Sequence, residues 1–258
     1  MTHPDPFAGL AAVLAAAPVQ VDPHRQARKG VPEVVYAGGK KPAVTLAAVW
    51  ALLEQTPSGR VLVTRATPEV VEFLRRELEP AGVRLEVAPG GSTLLAMRRD
   101  AADPPALGGV VGLLTAGASD APAADEAAWV AREMGCHVVR ADDVGVAGLH
   151  RLEEPLRAVR DAGADVIIVA AGMDGALPSV VAGLVDVPVI GLPTSVGYGL
   201  GGGGVAALLA MLQTCAPGLV VVNIDNGVGA GATAGLFANR IAAARAPTPS
   251  AGGRGDDR

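Results

Sequence analysis

Short, continuously apolar runs alternate with segments of helical spacing through the second half of the sequence. Runs rich in Val, Ile and Leu recur from residue 110 onward without alternating polar residues. Strands of this kind are buried on both faces, as in a parallel sheet that is covered by helices on each side. We therefore predict an α/β fold, a three-layer αβα sandwich with a parallel sheet. Its strands are predicted at Val110–Leu114, His137–Ala141, Asp165–Ala171, Val187–Leu192 and Leu219–Ile224.

The helices that cover this sheet are predicted at Ala121–Met134, His150–Ala162, Leu177–Leu184, Val205–Gln213 and Ala230–Ala244. The first half of the chain predicts a smaller N-terminal α+β domain. Its strands are expected at Glu33–Tyr36, Val61–Thr64 and Val83–Val87, and its helices at Thr45–Glu54 and Pro68–Leu78.

A domain boundary is predicted at Ala101–Pro105, where turn-forming residues coincide with a change in composition. We expect an N-terminal domain at residues 1–105 and the sandwich at residues 106–245. A short helix is expected at Phe7–Ala17, and a disordered tail at residues 246–258, which are rich in Pro, Gly, Ser and charge.

Composition argues against several classes of protein. A formal net charge of -5 disfavours a broad nucleic-acid or membrane surface, and an aromatic content of 3% disfavours a base-stacking platform. No apolar run reaches the roughly 18 residues of a membrane span, and Phe7–Ala17 follows no Lys or Arg, unlike a signal peptide. The two cysteines form no CxxC pair and the four histidines have no ligand spacing, so we expect no metal site and a reducing, cytoplasmic location.

The loops after the first four strands of the predicted sheet are rich in Gly, Ser, Thr and Asp. In a parallel sheet such loops meet at the carboxyl edge, where ligands bind. Glycines there expose backbone N–H groups at helix N-termini, which suits a phosphate. The candidate substrate-binding residues in these loops are Gly117, Ser119, Asp120, Val146, Gly148, Gly172, Met173, Gly175, Thr194 and Ser195.

Four residues each fit two interpretations. Ser119 and Asp120 could cap the helix that begins near Ala121, or could hold ligand hydroxyls. Asp174 could be a helix N-cap, or a ligand-facing carboxylate whose pKa is moved by burial. Cys215, which stands at a helix end before Ala-Pro-Gly, fits a buried structural cysteine and a reactive thiol equally well.

Structural interpretations are favoured for the remaining motifs. Cys136 and His150 are expected to be structural, and the glycines of Gly197–Gly204 match the dinucleotide fingerprint only formally. That fingerprint would follow the first strand and would precede an acidic residue, and neither condition holds here. Solvated surface charge is the expected role of the basic residues Arg25, Arg28, Lys40 and Arg65.

The segment from Gly109 to Ile241 resembles the carboxylase/mutase that acts on aminoimidazole ribonucleotide in purine synthesis. The resemblance rests on Gly117-x-Ser119-Asp120, on Pro188-Val-Ile-Gly-Leu-Pro193 and on Leu212-Gln213 followed by Pro217-Gly218. It implies that the ribonucleotide phosphate lies on these loops, and that octamers share sites between subunits.

One loop departs from that enzyme. Its catalytic histidine stands in a Ser-Ala-His-Arg loop after the second strand, where this chain has Asp142-Asp-Val-Gly-Val-Ala-Gly-Leu-His-Arg151. This loop, together with Gly172-Met-Asp-Gly-Ala-Leu-Pro-Ser179 and Cys215, resembles the nickel-pincer cofactor biosynthesis family, LarB. Arg28-x-Gly-x-Pro-Glu-Val-Val-Tyr36 and Thr64-Arg-Ala66 resemble the N-terminal domain of the same family.

The second resemblance implies a specific reaction. The family carboxylates nicotinic acid adenine dinucleotide at C5 of the pyridinium ring, and hydrolyses its phosphoanhydride to give pyridinium-3,5-dicarboxylate mononucleotide and AMP. It implies Cys215 as the nucleophile and Asp174, where the family has Glu, as the carboxylate that handles protons. It also implies CO2 or bicarbonate as co-substrate, no tightly bound cofactor and a homo-octamer, and it leaves a requirement for Mg²⁺ open.

The sequence also fits two functions other than this carboxylation. One is an aminoimidazole ribonucleotide carboxylase or mutase, against which the missing Ser-Ala-His-Arg loop argues. The other is a nucleotide-binding or sensor protein without catalysis, in which the N-terminal half is an effector module. Turnover in the presence of bicarbonate separates an enzyme from a sensor.

Overall fold

The computed structural model describes residues 19–245, which form two sheets with their covering helices. The helix predicted at Phe7–Ala17 and the tail predicted at residues 246–258 lie outside the described residues. The first sheet ends at Met97 and belongs to the N-terminal domain, and the second begins at Val110 and belongs to what we call the sandwich domain. The boundary at Ala101–Pro105 stays a prediction.

The N-terminal domain has a four-stranded sheet in the order β1-β2-β4-β3. Strands β1 and β2 are parallel, whereas β4 runs antiparallel to both of its neighbours. The strand Leu94–Met97 was not predicted, because four apolar residues without alternation are too short a signal. The elements are α1 (Arg25–Lys29), β1 (Val34–Tyr36), α2 (Pro42–Gln55), β2 (Arg60–Thr64), α3 (Pro68–Leu78), β3 (Arg84–Val87) and β4 (Leu94–Met97).

The sandwich domain has five parallel strands in the order β6-β5-β7-β8-β9, which confirms the predicted fold class. Its strands are β5 (Val110–Thr115), β6 (His137–Ala141), β7 (Val166–Ala171), β8 (Val189–Pro193) and β9 (Leu219–Val221). Its helices are α4 (Ala121–Glu133), α5 (Glu153–Asp161), α6 (Leu177–Ala182), α7 (Val205–Leu212) and α8 (Gly227–Arg245).

The central strand β7 explains why the apolar runs are continuous. Val166, Ile168 and Ala170 pack into a core with residues of α4 and α8. The intervening residues, Ile167 and Val169 among them, pack into a second core with residues of α5, α6 and α7. All six residues of β7 are buried, so the strand has no solvent face on which a polar residue would be favourable.

Two helices of the sandwich domain begin at other residues than predicted. The helix α5 begins at Glu153 rather than His150, because Val146–Arg151 forms a 3-10 turn that is interrupted at Gly148. The helix α8 begins at Gly227, and its Gly231 lies so close to α4 that an added Cβ would stand 2.9 Å from the Cα of Ala127. Within residues 19–245, no helix combines the length and the apolar character needed to cross a membrane.

The N-terminal sheet packs on the helix α4. Leu62 and Leu95 of that sheet share an apolar cluster with Val130 of α4. Beside this cluster, Arg60 donates to both carboxylate oxygens of Glu133, at 2.9 and 2.8 Å. Both side chains are largely buried, with exposed fractions of 8% and 11%. The helix α4 is therefore covered by a sheet on each side, and polar contacts fix how the two domains are positioned.

Substitution of Glu133 by Ala would leave the buried Arg60 guanidinium without its bidentate partner. We expect the free energy of unfolding to fall by about 3 kcal/mol, because the largely buried charge of Arg60 would keep only its ion pair with the exposed Asp103, at 3.1 Å. Glu153→Ala is the matched control, since its ion pair with Arg157 is exposed and is expected to contribute about 0.5 kcal/mol or less. Chemical denaturation of both variants checks this, and equal losses would contradict the assigned role of Glu133.

Candidate functional site

The loops that follow β5, β7 and β8 meet at the carboxyl edge of the sandwich sheet, as predicted. Thr194 is 1% exposed, and its hydroxyl donates to Asp120 Oδ1 at 2.5 Å, which ties the loop after β8 to the loop after β5. The N–H of Met173 donates to the Val196 carbonyl at 2.7 Å and ties the loop after β7 to the loop after β8. Ser119 and Ser195 are exposed on these loops, so their hydroxyls are accessible to a ligand.

Asp120 is the buried carboxylate at the centre of these contacts. Its side chain accepts the N–H of Gly117 at 2.8 Å and the Thr194 hydroxyl, and it makes no capping hydrogen bond to α4. The helix-cap interpretation of Asp120 for α4 is therefore wrong. Burial raises the pKa of Asp120 above its ordinary value, because removal from water disfavours the charged form. The hydrogen bonds from Thr194, Gly117 and Gly172 oppose this shift but do not cancel it.

The loop after β7 requires its glycines. An added Cβ on Gly172 would overlap the Val196 carbonyl oxygen, and one on Gly175 would stand 2.7 Å from the Ala207 carbonyl oxygen. Met173, between them, adopts a left-handed φ of 55°, and its side chain is 42% exposed at the edge of the site. The backbone of this loop is packed closely against the neighbouring loop and α7, so it forms a fixed wall.

Asp174 lies on the same loop with an exposed side chain. The N-cap of α6 is Ala176, without a side-chain capping hydrogen bond, so the N-cap interpretation of Asp174 is wrong. The predicted burial of this carboxylate is also wrong. Within residues 19–245 its carboxylate accepts no hydrogen bond and forms no ion pair, which leaves it available at the carboxyl edge.

The loop after β6 is hydrogen-bonded to the end of β5 and to the turn that follows it. The N–H of Asp143 donates to the Thr115 hydroxyl at 3.0 Å, and its carboxylate accepts from Arg151 at 2.9 Å. Val146 and Gly148 are partly exposed in the 3-10 turn that follows, and their predicted contact with substrate stays a prediction. His150 is exposed in the same turn.

Cys215 lies at the opposite edge of the sheet. The helix α7 begins beside Gly175 at the carboxyl edge and spans about 12 Å at 1.5 Å per residue. Cys215 follows the far end of α7, and Gly218 then accepts the N–H of Val189, the first residue of β8. Within one chain, therefore, Cys215 and Asp174 do not meet.

The two cysteines differ in exposure. Cys215 is exposed, so its interpretation as a buried structural residue is wrong. Cys136 is 7% exposed and lies 3.3 Å from Asn239 Oδ1, and burial raises the pKa of its thiol to about 11. A thiol with so high a pKa is a poor nucleophile at neutral pH. Of these two residues, only Cys215 is placed for chemistry.

Arg65 of the N-terminal domain reaches the carboxyl edge of the sandwich sheet. It lines a cavity of about 190 Å³ together with Ser119 and Ser195. Its Nε donates to Glu126 at 2.6 Å, and another guanidinium nitrogen donates to the Asp225 carbonyl. The expectation that Arg65 is a solvated surface charge is therefore wrong. Arg65 directly follows Thr64, the last residue of the buried strand β2. That position at the end of a strand is the sequence feature that indicates a residue at the edge of the sheet.

Two further carboxylates line this cavity, of which Glu126 was not singled out in the sequence and Asp225 was noted only as the start of a segment, Asp225–Gly229, that resembles the LarB family. Glu126 is 2% exposed, and burial raises its pKa although Arg65 opposes the shift. Asp225 accepts the N–H of Ser195 at 2.8 Å and has a left-handed φ of 55°. Among residues 19–245, no three Asp, Glu, His or Cys side chains are grouped so that they could hold a metal ion.

The raised pKa of Asp120 has a consequence for stability. An acid whose pKa is raised by folding binds its proton more tightly in the folded state. The stabilisation that Asp120 gives through this proton is therefore present at low pH. It is lost as the pH rises from about 3.9, the ordinary pKa of aspartate, through the raised pKa of the folded state. Asp120→Asn does not titrate, so we expect its free energy of unfolding to fall less than that of the wild type over this interval.

Denaturation at a series of pH values measures this difference. Asp161→Asn, at an exposed position on α5, is the control and should follow the wild type. Parallel pH profiles for wild type and Asp120→Asn would contradict the assigned environment of Asp120.

Comparison with known proteins agrees with this architecture. Residues 110–251 match the AIR carboxylase family, and residues 15–86 match the LarB/PurE-like N-terminal domain. Uncharacterized protein MJ0165 of Methanocaldococcus jannaschii is 43% identical over 223 residues, which cover 85% of this chain and 84% of that protein. The chain therefore belongs to the AIR carboxylase family and is LarB-like, since a LarB/PurE-like N-terminal domain precedes its PurE-like, carboxylase-type domain.

Proposed function

We propose that this protein carboxylates nicotinic acid adenine dinucleotide at C5 of its pyridinium ring and hydrolyses the phosphoanhydride to release AMP. The observation that carries the proposal is an exposed, free thiol, Cys215, on a carboxylase-type domain whose Asp142–Arg151 loop lacks the Ser-Ala-His-Arg sequence of the purine enzyme. A carboxylase that acts through a thiol is suited to a substrate that needs a nucleophile. An electron-poor pyridinium ring is such a substrate.

The proposed carboxylation proceeds through a covalent intermediate. The Cys215 thiolate adds to C4 of the pyridinium, and the ring becomes a neutral dihydropyridine with an enamine carbon at C5. That carbon attacks CO2 and forms the new C–C bond. A base then removes the C5 proton, the C4–S bond breaks, and the thiolate leaves as the ring regains aromaticity. Splitting one difficult step into easier ones is the general advantage of covalent catalysis.

Asp174 is proposed as the base that receives the C5 proton. Its carboxylate is exposed at the carboxyl edge and carries no ion pair among residues 19–245, so it is free to accept a proton. Its reach is one methylene shorter than that of the Glu expected from the family. Because Cys215 lies at the other end of α7, the two groups must come from different copies of the chain.

The surface of α7 supports such an assembly. Val205, Leu209 and Leu212 are 53%, 58% and 63% exposed along one side of the helix, and Leu200 before them is fully exposed. Such apolar patches mark sites of protein association. Cys215 stands three residues beyond Leu212, so a copy that covers this surface would lie beside the thiol. A homo-octamer, as in the related purine enzymes, is the proposed assembly.

The replacement Cys215→Ala is expected to abolish carboxylation, because the pyridinium C5 is not nucleophilic without a thiolate adduct. Cys136→Ala is the matched control and should retain activity, since that thiol is buried. Mass spectrometry of the products formed from nicotinic acid adenine dinucleotide and labelled bicarbonate measures both variants. Carboxylation at the normal rate by Cys215→Ala would refute the mechanism, and binding without turnover by the wild type would favour a sensor.

Mixing two inactive variants tests whether Cys215 and Asp174 act from different copies. When Cys215→Ala and Asp174→Asn subunits are mixed equally and reassembled, about a quarter of the sites should contain both intact groups. We expect carboxylation to return to roughly that fraction of the wild-type rate. Each variant that is reassembled alone is the control, and no recovery in verified mixed oligomers would contradict a shared site.

A further inference from the structure

Tyr36 lies on the face of the N-terminal sheet that packs on the sandwich domain, but outside the packed part of that face. In the parallel pair β1–β2, Tyr36 is aligned with Thr64, two residues after Leu62, which belongs to the apolar cluster on α4. Side chains two residues apart on a strand share one face. Because β1 is an edge strand, the Tyr36 side chain on this face remains 54% exposed.

Lys40 lies beside the Tyr36 ring. Its ammonium group is 5.3 Å from the ring centroid and donates to the Tyr36 carbonyl. The ring folds over Gly38, where an added Cβ would stand 2.7 Å from the tyrosine hydroxyl oxygen. Among residues 19–245, no carboxylate pairs with Lys40. The structure thus presents an aromatic ring and an unpaired cation together on an exposed turn.

This turn lies at the same end of the N-terminal sheet as Arg65, which lines the cavity at the carboxyl edge. Arg65 directly follows Thr64, the strand neighbour of Tyr36, and it lines the cavity with Ser119 and Ser195. One end of the N-terminal sheet, next to the loops of the sandwich domain, therefore carries Tyr36, Lys40 and Arg65. We call these three residues the N-terminal cluster.

Charge around the cavity is distributed unequally between the two domains. The sandwich domain contributes the carboxylates of Asp120, Glu126 and Asp225 to the lining. Its nearby arginines are already paired, Arg140 with Asp142 at 2.9 Å and Arg151 with Asp143 at 2.9 Å. An anionic ligand that extends out of this cavity would meet Arg65, which is itself paired with Glu126 at 2.6 Å, and then Lys40, which has no carboxylate partner among residues 19–245.

We propose that the N-terminal cluster binds the adenylate half of a dinucleotide whose other half occupies the sandwich-domain loops. Arg65 and Lys40 contact the diphosphate, and the exposed Tyr36 ring stacks on the purine base. The inference rests on the proposed function for the identity of the dinucleotide. It gives the N-terminal domain a defined role, and it places the phosphoanhydride where the two domains meet.

Calorimetry on the full-length protein tests this subsite with nicotinic acid adenine dinucleotide, nicotinic acid mononucleotide and AMP as separate ligands. Tyr36→Ala should bind the dinucleotide and AMP about tenfold more weakly, in line with the loss of one base-stacking contact. Lys40→Ala should weaken the same two ligands, and its neighbour Lys41→Ala is the matched control. Affinity for the mononucleotide should be unchanged in all three variants.

The subsite is overturned if Tyr36→Ala weakens the mononucleotide and the dinucleotide equally, or if it weakens neither. It is also overturned if the wild type binds neither AMP nor the dinucleotide. Failure of the proposed function gives a different result. A wild-type protein that binds the dinucleotide in a Tyr36-dependent manner, but does not carboxylate it, retains the subsite and excludes the reaction.

Discussion

The helix α4 is the element on which the arrangement of both domains depends. One side of it packs on the sandwich sheet together with α8, and the other contacts the N-terminal sheet through Val130 and Met134. Its acidic residues Asp125, Glu126 and Glu133 receive hydrogen bonds from Gly90, Arg65 and Arg60 of the N-terminal domain. Buried charge is costly unless it is paired, so each contact fixes how the N-terminal domain is oriented.

This orientation determines the composition of the site. Because Glu126 holds the Arg65 guanidinium, a cation of the N-terminal domain lies at the carboxyl edge of the other domain. The sandwich domain supplies closely packed glycine loops and a buried aspartate, but its own nearby arginines are paired. The two domains are therefore complementary, with backbone donors and hydroxyls on one and the Glu126-bound cation of Arg65 on the other.

Local sequence patterns predicted most of the elements but few of the contacts between them. The helix Pro68–Leu78 and the strand His137–Ala141 were predicted with their observed bounds, because each has a clear period and clear ends. The pair Arg65–Glu126 joins residues 61 positions apart, and no local period carries such information. The loops that contain Asp120 and Thr194 were predicted to converge because all strands of a parallel sheet run in one direction, which places the loops that follow them at one edge.

The proposed carboxylation depends on a covalent bond between Cys215 and the pyridine ring of a nucleotide. The most direct measurement is rapid-quench peptide mass spectrometry of the wild-type protein that has been mixed with nicotinic acid adenine dinucleotide in the absence of bicarbonate. We expect an adduct of nucleotide mass on the peptide that contains Cys215 and none on the peptide that contains Cys136. Turnover on addition of bicarbonate without any adduct on Cys215, or with the adduct on Cys136, would contradict it.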